Sequence, residues 1–84
     1  MSRRDKALEL VLSGAADAAF PFHGLCAVLR NLGFVERVKG SHHIFARDDI
    51  AEIINIQPRG AEAKPYQVKQ VRGIILKYRL GGRA

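Results

Sequence analysis

Apolar residues return at spacings of three and four in three stretches of the chain, and between the second and the third the spacing drops to two. Ala7, Leu8, Val11 and Leu12 form the first stripe, with Arg4, Asp5, Lys6 and Glu9 opposite, which predicts a helix over residues 2–13 stopped by Gly14. Residues 15–21 show little periodicity and read as a connector. Leu25, Val28, Leu29 and Leu32 form the second stripe, so a helix should start at Pro21 or Phe22 and end at Leu32, with Gly33 as its left-handed cap. From Phe34 the alternation predicts strands over residues 34–39, 42–47 and 50–57. Gly40-Ser41 and Asp48-Asp49 are the turns, and Pro58 and Gly60 close the run. Val68, Val71, Ile74, Ile75 and Tyr78 then predict a closing helix from Pro65 to Leu80, ended by Gly81-Gly82 and followed by a frayed tail.

Three short strands with tight connections imply an antiparallel meander, which needs helices on one face to be stable. The expected class is α+β, in the order α-α-β-β-β-α. Without the first helix the order is that of double-stranded-RNA-binding domains, an analogy of fold that does not settle function.

A chain of 84 residues, 48% of them hydrophobic, suits one domain with a modest core over residues 1–84. Its apolar runs are too short to span a bilayer, and the N-terminus lacks the pattern of a secretory signal. The single cysteine, Cys26, allows no internal disulfide, reads as a packing residue and suggests no metal cluster. The plain expectation is a cytoplasmic protein without a cofactor or metal.

Charge sharpens this picture through its distribution. Residues 1–63 carry eight Lys/Arg and eight Asp/Glu, whereas Lys64, Lys69, Arg72, Lys77, Arg79 and Arg83 follow with no acid among them. The whole formal charge of +6 thus sits in the last quarter of the chain. Such a region attracts polyanions, and nucleic acid, an acidic protein or a membrane surface would each satisfy it. Lys64, Lys69 and Arg72 are the candidate phosphate contacts. Basic residues in a last helical turn also complement the helix dipole, which gives some of them a purely structural reason.

Chemistry points to histidine. His23, His42 and His43 are the side chains that ordinarily titrate near neutral pH. His23 opens a helix, where a surface role is the simple reading. His42 and His43 follow the Gly40-Ser41 turn at the start of a strand, so their side chains should face opposite sides of the sheet. That argues against joint metal chelation and against a shared acid–base site. One histidine is enough for RNA cleavage, because the 2′-hydroxyl is an internal nucleophile whose proton needs an acceptor. Lys39, Arg59 and the backbone amides of Gly40-Ser41 could stabilise the charged transition state. The residues alone leave three readings open: an endoribonuclease, a non-catalytic RNA-binding module, or an interaction protein that uses the basic closing helix.

The segment Gly40-Ser41-His42-His43-Ile44-Phe45 resembles the signature of the HicA toxins. The likeness extends to Leu29-Arg30-Asn31-Leu32-Gly33-Phe34, to Ile54-Asn55-Ile56-Gln57-Pro58-Arg59, and to Lys64-Pro65 with the stretch from Val68 to Ile75. It covers residues 22–80 in order and spacing. The resemblance implies a double-stranded-RNA-binding-like core over residues 21–80, ribosome-independent cleavage of mRNA, and neutralisation by a HicB-type antitoxin. It points to His42 as the catalytic residue, keeps His43 as the alternative because some members place the histidine one residue later, and gives Gly40 the role of turn glycine. Two departures stand out. Residues 1–20 extend beyond the usual family length, as a cap, a dimer contact or an antitoxin contact, and Arg59-Gly60 stands where many members carry a histidine.

Overall fold

A computed structural model describes residues 6–80. The expected helix start at residues 2–5, the Gly81-Gly82 stop and the tail lie outside the described residues. Helix α1 spans Lys6–Ser13 and is followed by a 3₁₀ turn over Asp17–Ala19, inside what read as a plain connector. Helix α2 spans Phe22–Asn31, strands β1, β2 and β3 span Val35–Lys39, His42–Ala46 and Ile54–Ile56, and helix α3 spans Pro65–Tyr78. Between β3 and α3 lies a small hairpin of β4 (Pro58–Arg59) and β5 (Glu62–Ala63). The class is α+β, with a three-stranded antiparallel sheet in the order β1-β2-β3 and the α-β-β-β-α succession of a double-stranded-RNA-binding-like fold.

Register decides which residues share a face. Glu36 pairs with Phe45, Val38 with His43, and His43 in turn with Ile56. These side chains share one face with Ile54; Val38 near the hairpin end stays exposed, whereas Phe45, Ile54 and Ile56 are fully buried against the helices. They join Phe22, Leu25, Val28 and Leu29 of α2 and Val68, Val71, Ile74 and Ile75 of α3 in one core. Burial of a side chain of this size stabilises the fold by about 1.5–3 kcal/mol. The other face carries Arg37, Lys39, His42, Ile44 and Asn55, all exposed except the half-buried Ile44, so among the described residues this face lies open.

Helix α2 ends as its sequence requires. Gly33 sits at φ +94°, its amide donates to the Arg30 carbonyl at 3.0 Å, and the Phe34 amide donates to that of Leu29 at 3.1 Å. This paired closure satisfies carbonyls that the helix leaves open. Helix α3 uses the same closure earlier than expected. Arg79, not a glycine, takes the left-handed position at φ 55°, and the Leu80 amide reaches the Ile75 carbonyl at 2.9 Å.

Two parts of the third-strand expectation are corrected. The ladder covers three residues instead of eight, because the Ile50 amide bonds back to the Arg47 carbonyl at 3.0 Å and closes a turn. Ile50 is buried in the core while Ile53 stays exposed, so this apolar run packs without pairing. Pro58 and Gly60, read as terminators, belong to the β4–β5 hairpin. Ala63 and Phe22 donate to the carbonyls of Phe20 and Ala61 at 2.8 and 2.9 Å, which fastens β5 to the entry of α2. The extension packs on the helical side: Val11 of α1 is fully buried in the common core, with Ala7, Leu8 and Leu12 against it. Among the described residues no helix is long and apolar enough to cross a membrane.

Candidate active site

The β1–β2 hairpin is closed by the facing pair Lys39 and His42 around a two-residue turn. Gly40 occupies the first turn position at φ +62°, the left-handed geometry that matches the twist of the strands and that other residues resist. Nothing lies within 4 Å of where its Cβ would stand, so the glycine answers a backbone demand and not a shortage of space. Ser41 accepts a hydrogen bond on Oγ from Gln57 Nε2 at 3.1 Å, which ties the turn to the end of β3.

His42 emerges from this turn on the uncovered face. Its Nδ1 lies 3.0 Å from Oδ1 of Asn55 on β3. An amide oxygen only accepts, so Nδ1 donates and the neutral ring keeps its lone pair on Nε2. Lys39 stands directly across the ladder, and Arg37 lies two residues further along β1 on the same face. The turn, the Lys39 cation and an imidazole held through its Nδ1 thus meet at one end of the sheet, with Arg37 next along the same face.

His43 points the opposite way, as alternation requires. Its ring meets Phe22 edge-on, with centroids 4.9 Å apart, and its Nδ1 lies 2.8 Å from Oε2 of Glu36. The other Glu36 oxygen accepts from Arg30 at 2.6 Å. The hydrogen bond to His43, then that to Arg30, holds the Glu36 carboxyl below the usual carboxylate range. Cys26, fully buried on α2, completes a cluster: one ligand-type atom each from Cys26, Glu36 and His43 falls within 4.8 Å of the others. The expectation that Cys26 joins no metal-type cluster is corrected here; α2 brings it under the hairpin, a proximity that spacing along the chain does not reveal. Burial pushes its thiol up to about 11, so it is no thiolate nucleophile at neutral pH.

The remaining candidates are spread out. Arg59 is exposed on β4 opposite Glu62, and Lys64 precedes α3, its amide donating to Gln67 Oε1 at 3.1 Å. Lys69 is exposed on α3. Arg72 is taken up inside the fold: its guanidinium grips both oxygens of Asp17 at 3.0 and 3.1 Å and donates to the Val11 carbonyl. Lys77 is likewise paired, with Glu52 at 2.8 Å. Two members of the acid-free basic stretch, Arg72 and Lys77, therefore meet acids in space. His23 is exposed on α2, edge-on to Phe22. Arg37, Asn55 and Gln57 were missed by sequence reasoning. Alternation from Lys39 would have found Arg37, whereas Asn55 and Gln57 needed the β2–β3 register.

Comparison with known proteins gives one match. The family model described as HicA toxin of bacterial toxin-antitoxin matches residues 23–78, which is more than half of the chain. None of the curated proteins and none of the solved structures compared matches it. The matched span runs from α2 to the end of α3 and contains the whole hairpin with both histidines. The chain belongs to the HicA toxin family, the toxin side of a bacterial toxin–antitoxin pair, and an antitoxin partner goes with that membership.

Proposed function

We propose that this toxin is a metal-independent endoribonuclease that cleaves mRNA at the β1–β2 hairpin, with His42 as the general acid–base group. The observation that carries the reading is the Asn55-anchored imidazole, which leaves Nε2 free on an open face beside Lys39 and Arg37. Nε2 takes the proton of a ribose 2′-hydroxyl. The oxygen attacks the adjacent phosphorus, the bond to the 5′-oxygen breaks, and a 2′,3′-cyclic phosphate and a 5′-hydroxyl result. The proton taken by His42 returns to the departing strand. Acid–base help of this kind is worth about 10²–10⁴-fold. Lys39, Arg37 and the Gly40 and Ser41 amides would neutralise the phosphate, with Arg59, Lys64 and Lys69 as outlying contacts to the RNA strand.

His43 is the less suitable base, since Glu36 occupies its Nδ1, Phe22 packs against its ring, and its side chain is only 20% exposed. Arg72 leaves the RNA-binding set because Asp17 and Val11 already use its guanidinium. A basic-helix binding module is disfavoured for the same reason. A HicB-type antitoxin is the proposed partner.

The test is growth on expression together with cleavage of a defined RNA by antitoxin-free protein. His42→Ala should abolish both with the circular dichroism spectrum intact, and His43→Ala should retain cleavage. Toxicity that survives His42→Ala but not His43→Ala moves the role one residue along. Survival in both variants sinks the single-histidine mechanism.

A further inference from the structure

The Cys26–Glu36–His43 cluster lies beneath the sheet, on the face opposite His42, and the cleavage chemistry makes no use of it. Its three members come from α2, β1 and β2, so three separate elements converge to place a sulfur, a carboxylate oxygen and an imidazole nitrogen within 4.8 Å of one another. From these residues we infer that the protein binds a thiophilic divalent cation of the zinc class through Cys26, Glu36 and His43, as a structural brace between α2 and the β1–β2 hairpin.

The donor set fits such an ion. Zinc takes sulfur at about 2.3 Å and nitrogen or oxygen at about 2.0–2.2 Å in a tetrahedron, so its ligand atoms stand about 3.3–3.6 Å apart. His43 Nδ1 and Glu36 Oε2 are 2.8 Å apart around a shared proton, and an ion replacing that proton needs them to part by only about half an ångström. All three atoms lie within 4.8 Å, so the sulfur has at most about 1.5 Å to close. Glu36 and His43 retain 17% and 20% exposure, which leaves an entry path and room for a water as fourth ligand. Arg30, bonded to the other Glu36 oxygen, holds that carboxylate in orientation as an outer-sphere partner.

The donor set selects the type of ion. A sulfur ligand beside an imidazole suits soft and borderline cations, whereas magnesium and calcium favour all-oxygen sites. Burial also denies Cys26, His43 and Glu36 the work of a nucleophilic triad, because a substrate cannot reach the sulfur.

Cobalt(II) is the probe, because a thiolate ligand gives it a sulfur-to-metal charge-transfer band. Cys26 is the single cysteine of the sequence, so such a band reports on this site alone. The purified chain titrated with Co²⁺ should show the band with the visible bands of a tetrahedral ion, and Zn²⁺ should bleach both. Cys26→Ala should remove the band. Glu36→Gln and His43→Asn should each weaken Co²⁺ binding by about tenfold or more, whereas His23→Asn should leave the titration unchanged. Zn²⁺ should also raise the melting temperature of the parent protein and not that of Cys26→Ala. A parent protein without the band overturns the inference, as does a titration unaltered in both Glu36→Gln and His43→Asn.

Discussion

Arg72 and Asp17, fifty-five residues apart in the chain, meet in a two-pronged ion pair between α3 and the turn that follows α1. Planar guanidinium and carboxylate match in such a fork, and the same guanidinium also satisfies the Val11 carbonyl. The pair fastens the N-terminal extension to the closing helix. Arg72→Ala and Asp17→Asn should each lower the urea midpoint, and the double variant should fall less than the two together. RNA affinity should stay unchanged in Arg72→Ala. A loss of RNA binding larger than that of Lys39→Ala would return Arg72 to the RNA interface.

Acid should loosen this clamp and also the separate pairing of Glu52 with Lys77 and Tyr78. Asp17 is held below its ordinary value chiefly by its hydrogen bond to Arg72, and Glu52 is brought down to about 2 by Lys77 and then Tyr78. A carboxyl depressed in the folded state adds stability above its unfolded value and loses it as pH falls through the folded one. Stability should therefore decline from about pH 4.5 toward pH 2. Urea midpoints measured across that window should decline less in Glu52→Gln, and an identical slope would dismiss the Glu52 contribution.

Asn55 should tune the proposed chemistry without touching RNA. Asn55→Ala frees the His42 ring and should reduce cleavage by about tenfold, a fraction of the full acid–base effect. Asn55→Asp replaces a neutral acceptor with an anion, favours the imidazolium and should move the acidic limb of the rate–pH profile to higher pH. An unshifted limb would reduce Asn55 to a packing residue.

Much of this was legible in the sequence, and the exceptions share a cause. Alternation placed His42 and His43 on opposite faces, and the stripe of Val68, Val71, Ile74 and Ile75 identified the buried side of α3, because both depend on local periodicity. Asn55 beside His42, Asp17 beside Arg72 and Cys26 beside Glu36 are meetings across elements, which periodicity does not encode. The β4–β5 hairpin escaped because its strands have two residues each and their stabilising bonds go to Phe20 and Phe22. The length of β3 was overestimated because Ile50 is buried without belonging to a ladder.

Arg37 and Lys39 should act through charge. Each replaced by Ala should weaken binding of a non-cleavable RNA and reduce the salt slope of the binding constant by about 1. Filter binding between low and moderate salt would measure both. A slope unaffected in both variants would take the outer sheet face out of the RNA path.

Arg79 holds a left-handed conformation that costs an L-residue about 1 kcal/mol or more and costs glycine almost nothing. Arg79→Gly should accordingly stabilise the protein by up to about 1 kcal/mol in equilibrium unfolding, with α3 ending at the same place. Destabilisation would reveal a contact of the Arg79 side chain that outweighs its backbone cost.

The two-residue turn at Gly40-Ser41 settles a question of parity. Neighbouring side chains on a strand look in opposite directions, so sliding β2 by one residue against β1 would bring His42 in beside Phe22 and turn His43 out toward solvent. Turn length, and not the identity of either histidine, thus chooses the imidazole that meets the outside world. A chain that gained or lost one residue here could hand the outward position to the adjacent histidine, keeping an imidazole on the surface while changing its place in the sequence.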